Sequence, residues 1–127
     1  MSKYQLSAGA ARGNITPGEN ILPIPYFFTI EMNRVEDPIY VRVLDIGDGQ
    51  HRALFITFDL LIVPNPEETL KFICDLTRLS KEYVFMSATH THEVPLLGFI
   101  GATEQGKNEK LELWYFEILN TLKETIK

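Results

Sequence analysis

The stretch that decides the fold is Arg52-Ala53-Leu54-Phe55-Ile56-Thr57-Phe58-Asp59, followed by Asn65-Pro66-Glu67-Glu68 and then by Tyr83-Val84-Phe85-Met86-Ser87-Ala88-Thr89. The first run is nearly unbroken apolar and rich in strand formers, which predicts a strand set deep in a sheet. Asn65 suits the capping of free amides, Pro66 the first helical position, and the two glutamates the positive end of a helix dipole, so a helix starts there. Leu70, Ile73, Leu76 and Leu79 recur every three residues and give it an apolar stripe. Arg78 falls in the expected last turn, with the end near Ser80. Tyr83 to Thr89, apolar and then small, reads as a strand covered on both faces. Strand, helix and strand make a βαβ unit, with parallel strands and a right-handed crossover expected. Asp59, ending the first strand, and His90 with His92, ending the second, then share one carboxyl edge of the sheet, where ligand sites of open α/β sheets gather.

Outward from this unit, Ile39 to Ile46 sets Ile39, Val41 and Val43 on one face against Tyr40 and Arg42 on the other, a half-exposed strand. Gly47-Asp48-Gly49-Gln50 tolerates positive φ and joins it to Arg52 to Asp59 as a hairpin. Leu6 to Asn14 is rich in small residues and predicts a tightly packed strand ending at Thr16-Pro17-Gly18. Glu19 to Pro38 holds three prolines, resists regular structure while burying some side chains, and reads as a long ordered loop with a functional role. Asn108 to Lys127 carries Leu111, Tyr115, Ile118 and Leu122 at helical spacing, with Trp114 as a further core residue. Neither Gly nor Pro closes this last helical pattern, so either the terminus frays in solution or the sequence is the front part of a longer chain. The expectation is one α/β domain over residues 1–127: a mixed sheet with a hairpin and a βαβ unit, helices packed on the sheet.

Composition bounds the function. With 45% apolar and 23% charged residues in 127, the chain is globular rather than disordered. Twelve basic against seventeen acidic residues leave a net charge of −5, the wrong sign for tracking nucleic acid or anionic lipid. Cys74 stands alone, which excludes an internal disulfide and a cysteine-based zinc knuckle. The most apolar stretch, Ala53 to Pro64, is shorter than the roughly 18 residues of a membrane span and is broken by Asp59. No apolar segment follows the N-terminus in the manner of a secretion signal, so a cytoplasmic location is expected.

Ser87-Ala88-Thr89-His90-Thr91-His92-Glu93-Val94-Pro95 carries the most chemistry, because extended residues two apart present both imidazoles to one side. Two such nitrogens are half of a zinc shell, the rest coming from elsewhere; the plain alternative is a polar strand end bonded to backbone. Asp59 is either a strand-end cap or an acceptor that orients His90 or His92 through the other ring nitrogen. Glu93 is either a ligand or general base, or an exposed loop acid. Leu96 to Gly101, with Gly98, Gly101 and Gly106 as hinges, is a buried apolar loop, the wall of a pocket in which Leu97 and Phe99 touch substrate, or a contact between copies in a homo-oligomer. His51 fits a hairpin surface and Cys74 helix packing.

Ala8-Gly9-Ala10-Ala11 leading to Ile15-Thr16-Pro17, then Asp37-Pro38-Ile39-Tyr40-Val41-Arg42, Phe58-Asp59-Leu60 and Ser87-Ala88-Thr89-His90-Thr91-His92 resemble, in that order, the N-terminal part of the neutral/alkaline ceramidase family. Members are zinc amidases that hydrolyse the N-acyl bond of ceramide. The resemblance implies zinc as cofactor, with His90 as a metal ligand and His92 beside the metal, contacting substrate or assisting proton movement. It also implies a small-molecule or lipid amide as substrate. Where the family continues Ser-Gly-Pro, this chain has Glu93-Val94-Pro95, and the family's later histidine, glutamate, tyrosine and serine lie beyond its length. The alternative is a non-catalytic module of the same fold that binds a ligand or partner at that edge.

Overall fold

The structure is a computed structural model that describes residues 5–22, 24–26, 30–32, 34–95, 97 and 109–126. Four strands form its main sheet: β1 (Ser7–Asn14), β4 (Tyr40–Gly47), β5 (Arg52–Phe58) and β6 (Val84–Ala88), in the order β1-β4-β5-β6. β1 pairs antiparallel with β4, β4 antiparallel with β5 through the 48–51 turn, and β5 parallel with β6. The mixed sheet, the hairpin and the parallel βαβ pair expected from the sequence are all present. Helices α1 (Pro66–Thr77) and α2 (Glu109–Ile126) pack on the sheet.

One face of the sheet makes the core. Val41, Val43, Leu54, Ile56 and Phe58 alternate inward and meet Ile73 of α1 and Trp114, Ile118 and Leu122 of α2 in one buried cluster. Period-two alternation on the strands and a 3.6-residue stripe on the helices thus converge on one layer boundary. Trp114 donates its indole N–H to Ile15 O at 2.8 Å, so its one polar atom is satisfied inside the core. β1 can lie under α2 because Gly13 has no Cβ: one placed there would collide with the side chains of Thr121 and Thr125. Thr69, fully buried on α1, donates to Pro64 O and shares a 2.8 Å hydrogen bond with the Tyr115 hydroxyl of α2.

Several expectations need correction. The proline-rich 19–38 stretch is not irregular throughout: β2 (Ile24–Tyr26) and β3 (Ile30–Met32) pair as a small antiparallel ribbon, which tolerates Pro25 because a two-stranded ribbon is all edge. α1 stops at Thr77, short of Ser80. Arg78 turns left-handed (φ 63°) and bonds its N–H to Cys74 O, closing the helix instead of placing a cation in its last turn. Asn65 also has positive φ and makes no side-chain cap; its carbonyl accepts from Thr69 instead. β6 is covered on one face only: Val84 is buried while Phe85 is 50% exposed. The apolar residues of β5 likewise divide between faces, with Phe55 pointing outward at 41% exposure. Leu97 is buried, whereas Phe99 and the three loop glycines lie outside the described residues.

Candidate functional site

β5 and β6 run parallel and end together, and backbone hydrogen bonds join the segments just past their carboxyl ends. Thr89 donates to Phe58 O at 2.9 Å and His90 donates to Leu60 O at 3.0 Å. His90 takes φ 66°, a left-handed conformation uncommon for any residue but glycine. Its ring Nδ1 lies 2.8 Å from Leu61 O. A carbonyl only accepts, so this contact puts the proton on Nδ1 and leaves the lone pair on Nε2. The Leu60-Leu61 turn therefore fixes both the backbone and the tautomer of His90.

The His92 ring meets the His90 ring edge to face, centroids 4.9 Å apart and planes 88° apart. Both histidines are exposed. Among the described residues His92 makes no ring hydrogen bond, which leaves both its nitrogens available. The two rings are in contact, but not as alternate residues of an extended strand, since β6 ends at Ala88 and His90 is left-handed.

Asp59 sits at the same edge but serves β4. Its Oδ2 accepts from the Tyr40 N–H at 3.0 Å, and both its oxygens lie 2.8 Å from Arg42 Nη1. The ring nitrogen of His90 is held by a backbone carbonyl, and Asp59 makes no hydrogen bond to either histidine among the described residues. The sequence marks Tyr40 and Arg42 only as the outer face of their strand and as part of the family-like stretch; they become partners of Asp59 because Arg42 lies opposite Thr57, two residues before it. Tyr40 in turn lies between two cations, Arg12 at 4.3 Å and Arg42 at 5.4 Å from its ring centre.

A cleft of about 490 Å³ opens beside the histidine loop, between Thr91, Glu93, Val94 and Pro95 on one side and Met32 and residues 34–37 on the other. Pro17, Leu22 and Ile39 complete its apolar wall. Arg34 and Glu36 pair across 2.6 Å, so Asp37 and Glu93 give the rim its net negative charge. Glu93 is exposed, with its N–H donating to Thr91 Oγ1. Leu97 lies buried beneath this loop and donates its N–H to Pro95 O. The far wall belongs to the 19–38 loop expected to be functional, although residues 34–37 carry no periodicity that says what they line.

The fold matches a stretch of neutral ceramidase. Over 98% of its length the chain superposes on 21% of neutral ceramidase from Pseudomonas aeruginosa, with a TM-score of 0.67 at 18% identity. It also superposes over 94% of its length on 20% of a ceramidase complexed with C2, with a TM-score of 0.53 at 16% identity. No family model and no curated protein matches the sequence. The chain thus spans about a fifth of the length of the solved ceramidases it resembles. Among its described residues no three His, Cys, Asp or Glu side chains come together as a metal site.

The donor chemistry present fits part of a zinc shell. His90 offers a fixed Nε2 lone pair and His92 a second imidazole in contact with it, against the three or four protein donors zinc takes.

Proposed function

We propose that this chain is the histidine-bearing portion of a ceramidase-like, zinc-dependent amide hydrolase acting on an N-acyl substrate. The observation that carries the reading is the hydrogen bond from His90 Nδ1 to Leu61 O, which frees Nε2 as a donor at the parallel-strand edge. The ceramidase-like fold and the Ser-Ala-Thr-His-Thr-His stretch support it. His90 would hold the ion through Nε2 with His92 beside it, and zinc when bound supplies Lewis acidity to an amide carbonyl. His92, exposed and in contact with His90, is the group able to hold or pass a proton at a ring nitrogen. The cleft beside Thr91 to Pro95 takes the substrate, its apolar wall excluding water from one flank.

Metal titration of the 127-residue chain tests this. Zinc, or cobalt as a coloured substitute, is expected to bind one ion per chain, with affinity falling at least ~10-fold in both His90→Ala and His92→Ala. The described residues supply fewer than the three or four protein donors zinc takes, so the chain's own hydrolysis of N-acyl amides is expected at background. Equal affinity in the native chain and both variants refutes the reading in favour of a non-catalytic module.

A further inference from the structure

The sheet has a second face that no helix among the described residues covers. The strand registers align its residues in rows across the four strands. Arg12, Arg42, Thr57 and Ser87 form one row, and Ala10, Leu44, Phe55 and Phe85 the next. Beyond these, Ala8, Ile46 and Ala53 lead to the 48–51 hairpin turn. Leu44, Phe55 and Phe85 are 39%, 41% and 50% exposed, and the two phenylalanine rings stack 4.9 Å apart at 11°. A contiguous aromatic and aliphatic row of this kind marks an interaction surface.

Its charges are arranged by end. At the carboxyl edge of β5 and β6, Arg42 is neutralised by Asp59, which leaves Arg12, stacked on Tyr40, as the cation without a carboxylate among the described residues. At the opposite end the hairpin carries Asp48, whose Oδ1 accepts the backbone N–H groups of His51 and Gln50 while its Oδ2 lies 3.4 Å from the exposed His51 ring. Those bonds hold it ionised, below the usual carboxylate range.

We propose that this open face is a homodimer interface. Two copies stack sheet against sheet about a two-fold axis that crosses the strands at the Leu44-Phe55-Phe85 row, giving four layers: helix, sheet, sheet, helix. That axis reverses strand direction between the copies. It lays each apolar row on its own counterpart and brings the Arg12 end of one protomer over the Asp48 turn of its partner. An axis parallel to the strands would instead bring the two arginine rows together. Self-matching of this kind is what an isologous contact requires.

The area sets the class of contact. Seven residues at ~3.3 Å each and four strands ~4.8 Å apart give a plan of roughly 440 Å². This is below the ~800 Å² per partner of a standard interface, so the expected dimer belongs to the small, reversible class.

Sedimentation equilibrium of the 127-residue chain from about 1 to 200 µM tests the proposal, with the mass expected to rise from 14.5 kDa toward twice that value. Phe85→Glu is expected to stay monomeric throughout, with unchanged circular dichroism and thermal midpoint; Phe85→Thr is a milder variant should the charge disturb folding. Arg12→Ala and Asp48→Asn, the latter keeping the turn's acceptor oxygen, are each expected to weaken association ~3- to 10-fold, and together no more than either alone. A native chain that remains monomeric leaves the face to some other polypeptide and overturns the proposal. So does association that survives both Phe85 variants, or additive effects of the two charge variants.

Discussion

His90 is held in a left-handed backbone conformation at the point where its ring is also fixed, and replacing it separates the two effects. In His90→Ala the ring's bond to Leu61 O is lost and the positive φ remains, so the variant is expected to be less stable by about 1 kcal/mol, the worth of one hydrogen bond. His90→Gly loses the same bond but releases a backbone cost of ~1 kcal/mol or more, part of which is offset by glycine's greater freedom in the unfolded chain. The glycine variant should therefore exceed the alanine variant by about 0.5–1 kcal/mol, the reverse of their order in a regular helix or strand. At ~2.1 cal/mol/K per residue, the 127 residues unfold with roughly 0.27 kcal/mol/K, so the difference is about 2–4 °C in thermal midpoint. Calorimetry of the three proteins in metal-free buffer measures it, and zinc titration of the same samples should show both variants equally impaired. Alanine matching or exceeding glycine in stability would refute the claim that backbone strain is stored at His90.

The Thr69–Tyr115 contact joins α1 to α2, and Thr69→Val leaves both Pro64 O and the Tyr115 hydroxyl without their partner. A loss of about 2–4 kcal/mol is expected by urea unfolding, more than for Tyr115→Phe, and a double-mutant cycle should show coupling. Burial raises the Tyr115 phenol above its ordinary value. The folded state thus keeps that proton more tightly than the unfolded chain, so its contribution is intact below about pH 10 and is lost as pH rises through the folded value. Midpoints measured across the alkaline range should fall less steeply in Tyr115→Phe. Gly13→Ala is expected to cost about 1–3 kcal/mol by forcing α2 off β1, with Thr125→Ala in the same chain restoring part of it; no change in midpoint would contradict the close packing there.

The βαβ unit and the hairpin were legible because their signals are local: a proline at a helix start, a turn that tolerates positive φ, an apolar run of strand length. The face assignment of β6 was not. Phe85 and Ser87 read as covered because an apolar strand between helices is usually buried twice, and nothing in one sequence says that both helices pack on the same side. The His90 and His92 rings touch, but not through the extended alternation their spacing suggests, because β6 ends at Ala88 and His90 turns left-handed. The group that holds the His90 ring left no trace, since Leu61 contributes a carbonyl that every residue possesses. Asp59 showed the opposite failing: a carboxylate at a strand end needs a partner, and which of several candidates supplies it depends on strand register. Arg42 wins because it lies on the neighbouring strand opposite Thr57, two residues before Asp59.

The indole N–H of Trp114 reaches back across nearly the whole sequence to Ile15, and Gly13 lies under Thr121 and Thr125. On the ribosome, the hairpin and the βαβ unit can assemble as they emerge, but Gly13 and Ile15 stay uncovered until α2 clears the exit tunnel. Trp114 is the sole tryptophan in the chain, so its fluorescence is a direct optical clock for that closing step.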